Sequence, residues 1–300
     1  MPSELDAGIR QRLTLRFGAA VEPWLDELPD VLAGLAQRWR LEVGAPIPRG
    51  TMSAVFHCRL ADGRAAVLKA SPDRARLAFE AAALGGWRTA HAPAVLALDE
   101  RLGALLLEAI EPGAPLAATG AYPGVERVAE LLTALHGSGV PDPSYPSVGE
   151  RVAHLFDAST ALYERHPELT AVVPPELYER GRRLGARLAA NGSPAVLLHG
   201  DLTPGNVLDG GAGRGLVAID PSPCLGDAAF DAVDLLVWLA DDVGTIEARA
   251  HLLAVASGLD AERLLDWCVA FAAMVALELG SQGGGHTGRA EALLALAARA

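Results

Sequence analysis
The sequence predicts an α+β protein of two lobes, a small antiparallel β-rich lobe followed by a larger α-helical one. Two observations carry this expectation. Up to about residue 108, short apolar runs alternate with turn signals, the pattern of an antiparallel sheet. After EPGAP at 111–115 the apolar spacing becomes helical. The expected division is 1–108 for the first lobe, 109–115 for a connector and 116–300 for the second lobe. A cleft between two lobes is a common place for a ligand.

Taken in order, EPWLDELPDVLAGLAQRWRLEV at 22–43 places apolar residues at helical spacing and runs into a strand. Gly44, Pro46, Pro48 and Gly50 then predict a loop over Gly44–Ser53. SAVFHCRL and AAVLKA read as strands joined at Asp62-Gly63, a strong hairpin signal. Ser71-Pro72 reads as a helix start, with Leu77, Ala81 and Leu84 on one apolar face and Glu80 on the same helix. PAVLALDERLGALLLEAI gives two strands around a turn at 99–103. Helices are expected at 125–140, 150–165 and 175–190. Within 195–220 a pair of short apolar strands flanks the loop HGDLTPGN, and the chain from about 227 reads as helical.

Composition narrows the class. About half of the 300 residues are hydrophobic, enough for a sizeable core and against disorder. The net charge of −12 argues against nucleic acid, whose phosphates need clustered Lys and Arg, and leaves room for a cationic small molecule. Cys58, Cys224 and Cys268 are far apart and show neither metal spacing nor a disulfide framework. The N-terminal stretch carries charges throughout and lacks an apolar signal core. The longest apolar run, CVAFAAMVALELG at 268–280, is broken by Glu278. It falls short of the roughly 20 residues that cross a bilayer and reads as a buried helix. The expectation is a cytoplasmic protein, monomeric or weakly dimeric, with no membrane partner.

Lys69 is the single lysine in a chain whose other basic residues are arginines. Chance accounts for a lone residue, but so does a site that needs a compact ammonium where a planar guanidinium does not fit. Its surroundings favour the second reading. Lys69 stands on a strand after a Gly-containing loop, and Glu80 follows on a helix. Asp201 and Asn206 share one loop, and Asp220 ends the next apolar run, GLVAID. Only two asparagines occur in the chain, Asn191 and Asn206.

This order of Lys, Glu, Asp, Asn and Asp resembles the protein-kinase-like fold, and HGD followed by Asn resembles its aminoglycoside phosphotransferase branch. WLDELPDVLAGLAQRW, PRGTMSAV, ADGRAAVLK, GALLLE and IDPSPCLGDAAFD are similar to the streptomycin and hydroxyurea phosphotransferase group. The likeness is strong over 197–231 and weak in the middle helices and at the C-terminus.

The resemblance implies an ATP- and Mg²⁺-dependent transfer of phosphate to a hydroxyl of a small antibiotic. Phosphoryl transfer asks the protein for positioning and charge neutralisation rather than covalent chemistry. Asp201 would orient the acceptor hydroxyl and take its proton, and Asn206 and Asp220 would offer oxygens to Mg²⁺. Lys69, held by Glu80, would contact the α- and β-phosphates. Gly50, Thr51 and Ser53 would cover the phosphates, although no GxGxxG pattern is present. Backbone groups of Glu108 and Ile110 would meet the base. A kinase for a metabolite alcohol or for another antibiotic class, hydroxyurea or a peptide antibiotic, keeps the same catalytic residues, so the acceptor stays open. A nucleotide-binding pseudokinase is a further reading, against which the complete Lys, Glu, Asp, Asn and Asp set counts.

The acidic run Asp220, Asp227, Asp231, Asp234, Asp241, Asp242 and Glu247 contains no Lys or Arg. It reads either as helix caps with a solvated face or as an acidic wall for an amine- or guanidine-bearing acceptor. Asp231 and Glu278 are carried as acceptor-site candidates. Asp231 has a second reading, given by the resemblance, as support for the catalytic loop. Glu278 has one as the partner of an arginine. His199 reads as a brace for the loop backbone.

Overall fold
The computed structural model describes residues 6–48, 50, 52–191, 195–283 and 287–300. The chain divides into two compact units, one of residues 1–85 with 93–111 and one of 86–92 with 112–300.

In the first unit, helices α1 (Ala7–Phe17) and α2 (Glu22–Trp39) precede strand β1 (Leu41–Pro46). Strands β2 (Ala54–Leu60) and β3 (Ala65–Ala70) form the expected hairpin, and helix α3 (Arg74–Gly86), β4 (Val95–Asp99) and β5 (Ala104–Glu108) follow. The sheet is antiparallel, in the order β1-β2-β3-β5-β4. Leu25, Leu28, Leu32 and Leu35 recur every three or four residues along α2 and are buried in one cluster with Phe56, Leu68 and Leu106 of the sheet. Burying each such side chain contributes on the order of 2 kcal/mol. Alternation along β3 then sends Leu68 to that core and Lys69 to the opposite face.

Two expectations for this unit shift. The loop begins later than Gly44, because β1 continues antiparallel to β2 as far as Pro46, across a bulge. The helix carrying Glu80 starts at Arg74 rather than at Ser71-Pro72. Asp73 supplies the start by accepting a hydrogen bond from the Arg76 N–H (3.0 Å), while the Ser71 hydroxyl receives the Asp73 N–H (3.2 Å).

The second unit opens with the short β6 (Ala114–Pro115) and α4 (Leu116–Thr119), then α5 (Val125–Ser138), α6 (Val148–Arg165) and α7 (Pro175–Ala190). Strands β7 (Val196–Leu198), β8 (Val207–Asp209), β9 (Leu216–Ala218) and β10 (Cys224–Gly226) come next. Helices α8 (Val233–Val237), α9 (Val243–Ser257), α10 (Ala261–Ser281) and α11 (Thr287–Ala297) complete it. The two strands flanking HGDLTPGN are present, but they are not partners of each other. β7 pairs with β10, whereas β8 pairs with β9 and β6. The loop therefore passes from one small sheet to another, and its shape rests on hydrogen bonds within it and to residues elsewhere in the unit.

The apolar run at 268–280 belongs to a longer helix. Asp260 caps α10 by accepting from the Arg263 N–H, and the resulting 21 residues are long and apolar enough to cross a membrane by length and composition. Most of the helix is buried in the second unit. Phe156 of α6 packs edge-on to Tyr178 of α7 and against Phe271 of α10, each with ring centroids 5.2 Å apart. Phe230 packs against Trp267 and Phe271. Segment 86–92, expected with the first lobe, belongs to this unit, where His91 Nδ1 lies 2.7 Å from the Leu216 carbonyl oxygen.

Phe156 is fully buried at the meeting of three helices. Phe156→Ala leaves a cavity there, and we expect a loss of about 3–5 kcal/mol in denaturant unfolding of the full chain. A loss below about 1 kcal/mol contradicts this packing.

Candidate active site
The residues singled out by sequence fall in both units. In the first, Lys69 Nζ donates to Glu80 Oε1 at 2.5 Å. Pairing of β3 with β2 and β5 sets Lys69 opposite Val55 and Leu105, and α3 carries Glu80 at a fully buried position. A buried ion pair is a poor source of net stability, but losing one partner leaves an uncompensated charge. Such a pair is therefore better explained by a task for the ammonium than by folding.

Gly50 has φ +94°, and a side chain there would press on the Ser53 carbonyl at 3.3 Å. Ser53 is buried, and its hydroxyl has no hydrogen-bond partner among the described residues. Thr51 lies outside the described residues. Glu108 ends β5, with its N–H donating to the Ala94 carbonyl (2.9 Å) and Oε2 accepting from the Ala94 N–H (3.1 Å). Glu108 and Ala109 line a cavity of about 500 Å³ with Ala65, Leu96 and Arg59. Ile110 follows and is partly buried.

In the second unit the loop after β7 holds His199, Asp201 and Asn206, while Asp220 follows β9, Asp231 precedes α8 and Glu278 lies on α10. Gly200 has φ +74°, and a Cβ there would fall 2.0 Å from the Ser222 carbonyl oxygen, so only glycine fits. Asp231 secures this turn. Its Oδ2 accepts from the His199 N–H at 2.8 Å and from His136 Nε2 at 2.9 Å, and its Oδ1 accepts from the Gly200 N–H at 2.9 Å. Burial pushes this carboxyl up, but the His136 hydrogen bond and charge, His199 and the Gly200 N–H outweigh it and hold it below the usual range. Both oxygens are engaged inside the protein. Asp231 is thus a brace and not part of an acceptor wall, which corrects one of its two expected readings.

His199 is fully buried. Burial lowers its pKa despite the nearby acids, so the ring is neutral. Nε2 donates to the Ile219 carbonyl (3.0 Å), and Nδ1 accepts from the Asp201 N–H (3.3 Å). The ring stacks on Trp87 with centroids 6.0 Å apart and planes 12° from parallel.

Asn206 Nδ2 donates to the carbonyl oxygen and to Oδ2 of Asp201, each at 2.9 Å, which leaves its amide oxygen for another group. The Ile219 N–H donates to the Asn206 carbonyl at 2.9 Å, tying Asp220 to the loop through the β8–β9 hairpin. Asp220 has φ +59°, a left-handed conformation that costs a non-glycine residue about 1–3 kcal/mol and recurs at functional sites.

Arg151 of α6 is a site residue that sequence reasoning missed. Its Nε donates to the Gly200 carbonyl at 2.7 Å and its Nη2 to Asp201 Oδ1 at 3.0 Å. The available signal is an arginine three residues after Val148, beside the buried stripe of Val148, Val152, Phe156 and Ser159.

The acidic run does not form one wall. Asp227 is buried, accepting from the Trp267 indole (2.7 Å), from the Ala229 N–H (3.1 Å) and from Arg263. Asp242 caps α9, and Glu247 pairs with Arg299. Asp234 and Glu278 differ. Glu278 accepts from the Ser159 hydroxyl at 2.8 Å, and its pKa is raised by burial and by the charge of Asp201. Asp234, partly buried, is pushed up to about 7 by burial and then by Asp201 and Glu278, against Arg289 and Arg151. Asp234, Glu278 and Asp201 therefore share one electrostatic neighbourhood.

With fold and geometry in place, the class is clear. The chain has the protein-kinase-like fold, with an antiparallel sheet in one unit and a helical majority in the other, and it is a phosphotransferase acting on a hydroxyl of a small molecule. Residues 38–283 match the model of the aminoglycoside/hydroxyurea antibiotic resistance kinases, and the chain belongs to that family. It is 32% identical over 266 residues to the hydroxyurea phosphotransferase of Kitasatospora aureofaciens, covering 84% of this chain and 74% of that one. It is 32% identical to the streptomycin 6-kinase of Streptomyces glaucescens, covering 84% and 82%. Among solved structures it is similar to the choline kinase LicA from Streptococcus pneumoniae, with TM-score 0.60 and 14% identity, covering 91% and 100%.

The raised pKa of Asp234 fixes a sign. Unfolded, the group loses its proton near pH 4, whereas folded it keeps it to about 7. The folded state binds the extra proton in this window, so stability falls as pH rises through it. We expect wild type to lose on the order of 1–3 kcal/mol from this group between pH 4 and 8, and Asp234→Asn to lose correspondingly less. Equal pH slopes in urea unfolding of the two proteins contradict this.

Proposed function
We propose that the chain transfers the γ-phosphoryl group of ATP to a hydroxyl of a small cationic antibiotic of the aminoglycoside type, and so inactivates it. The observation that carries the reading is the pairing of Asp201 with Asn206. One loop holds a carboxylate and turns an amide so that its oxygen stays available. The names of the relatives, streptomycin 6-kinase and hydroxyurea phosphotransferase, supply the acceptor class. The acids Asp234 and Glu278 beside Asp201 favour a cationic member of it.

In this reading Lys69, fixed by Glu80, binds the α- and β-phosphates. The loop of Gly50, Thr51 and Ser53 covers them, and the orphaned hydroxyl of Ser53 suits a phosphate oxygen. Backbone groups of Glu108 and Ile110 meet the base at the cavity that Glu108 and Ala109 line. Asn206 and Asp220 would hold Mg²⁺. Two protein oxygens suit this hard cation. When bound it neutralises phosphate charge. Asp201 orients the acceptor hydroxyl and accepts its proton as the acceptor O–P bond forms and the bond to the leaving ADP breaks. Glu278 and Asp234 hold the acceptor's cationic group. The enzyme works in the cytoplasm as a monomer or weak dimer, without nucleic-acid or membrane partners.

The test is ADP release with ATP and Mg²⁺ over streptomycin, hydroxyurea and choline. We expect turnover with streptomycin, a fall of at least about a hundredfold in Asp201→Ala, and ATP affinity kept within a few fold. Retained turnover in Asp201→Ala overturns the role of this loop. Turnover with hydroxyurea alone overturns the cationic acceptor.

A cationic acceptor also makes a proton signature. Its charge favours ionised Asp234, so binding near pH 7 releases protons. Calorimetry of streptomycin binding in buffers of different ionisation enthalpy should show this release in wild type and a smaller one in Asp234→Asn. Equal release in both removes Asp234 from the acceptor site.

A further inference from the structure
The transferring phosphoryl group brings negative charge to a place already crowded with it. Asp201 shares its surroundings with Asp234 and Glu278, and the loop 199–206 carries no Lys or Arg. The chain's one lysine, Lys69, is engaged with Glu80. Among the described residues, the cation hydrogen-bonded to Asp201 is Arg151.

Its geometry is that of a fork with one edge engaged. Nε reaches the Gly200 carbonyl and Nη2 reaches Asp201 Oδ1. Nη1 makes no hydrogen bond among the described residues. The guanidinium is largely buried, with 14% of its side chain exposed, and the backbone carbonyl of Gly200 fixes its plane. An arginine whose second edge is unused, held beside a carboxylate that aims an acceptor hydroxyl, is suited to a phosphoryl oxygen.

We propose that Arg151 is the cation of the phosphoryl-transfer centre. Its Nε–Nη2 edge holds the catalytic loop, and its Nη1 edge binds a non-bridging oxygen of the γ-phosphoryl group as that group moves to the acceptor. The acceptor O–P bond forms, the bond to the β-phosphate oxygen breaks, ADP leaves with the electron pair, and the hydroxyl proton passes to Asp201. Arg151 keeps its proton throughout. The assignment rests on the reading of Asp201 as the carboxylate of a kinase.

The experiment measures binding of ADP with aluminium fluoride and Mg²⁺, a mimic of the moving phosphoryl group, by calorimetry. It needs no acceptor. Wild type, Arg151→Gln, Arg151→Lys, Asp201→Asn and the double variant are compared, with ADP alone as reference. We expect Arg151→Gln to bind ADP within about threefold of wild type but to lose ten- to a hundredfold in affinity for the aluminium fluoride complex. Arg151→Lys recovers part of the loss. The decisive comparison is in the Asp201→Asn background, where the same loss on adding Arg151→Gln supports direct contact with the phosphoryl group. If Arg151→Gln has no further effect in that background, Arg151 only positions Asp201 and the proposal is overturned. A parallel loss for ADP and its fluoride complex overturns it as well. A wild-type chain that binds neither ligand removes the nucleotide reading and the proposal with it.

Discussion

The carboxylate of Asp231 is the constraint on which the rest of the site depends. Gly200 sits in a left-handed turn pressed against the Ser222 carbonyl, and the strands on either side of the loop belong to different sheets. No sheet ladder holds the turn. Asp231 does so by taking two consecutive backbone N–H groups, from His199 and Gly200. Buried N–H groups left without partners cost about 1–3 kcal/mol each. A carboxylate with two acceptor oxygens satisfies both at once, and His136 offsets part of its charge. With the turn fixed, His199 reaches the Ile219 carbonyl and receives the Asp201 N–H. Asp201 and Asn206 then meet across five residues.

Charge is divided along the same lines. The acids that serve the fold, Asp227 and Asp231, are buried and matched by arginine, indole, imidazole and backbone donors. The acids that remain under electrostatic strain, Asp234 and Glu278, lie near Asp201. Burial is the first cause of both shifts, and the charge of Asp201 adds to it. Arg151 enters that group from α6 and meets Asp201 directly. An acid-rich region thus carries a cation beside Asp201.

Local signals make much of this legible in the amino-acid sequence. The hairpin at Asp62-Gly63, the position of the single lysine, the helix with Glu80 and the Asp–Asn loop all follow from them, because turn chemistry and periodicity act over a few residues. What is not legible depends on contacts between distant parts of the chain. Arg151 lies far from the loop in sequence and carries no local signal of its contact, and local chemistry alone makes Asp231 look like any helix cap, so that only the family resemblance offers it as support for the loop. The pairing of β7 with β10 rather than with β8 is hidden for the same reason, since three-residue strands carry no register signal. The start of α10 at its Asp260 cap lengthens a helix that hydropathy alone cuts short. The stretch HGDLTPGN is legible as a loop of chemistry-bearing residues, and His199 as its brace, while the contact of Arg151 with it is not.

Asp231 holds the loop 199–206 through the backbone N–H groups of His199 and Gly200. Amide hydrogen exchange over 196–206 in Asp231→Asn tests this most directly, because it reads those hydrogen bonds themselves. The account predicts that His199 and Gly200 lose protection by at least about tenfold while α10 keeps its own. Unchanged protection at both residues in a folded variant contradicts it.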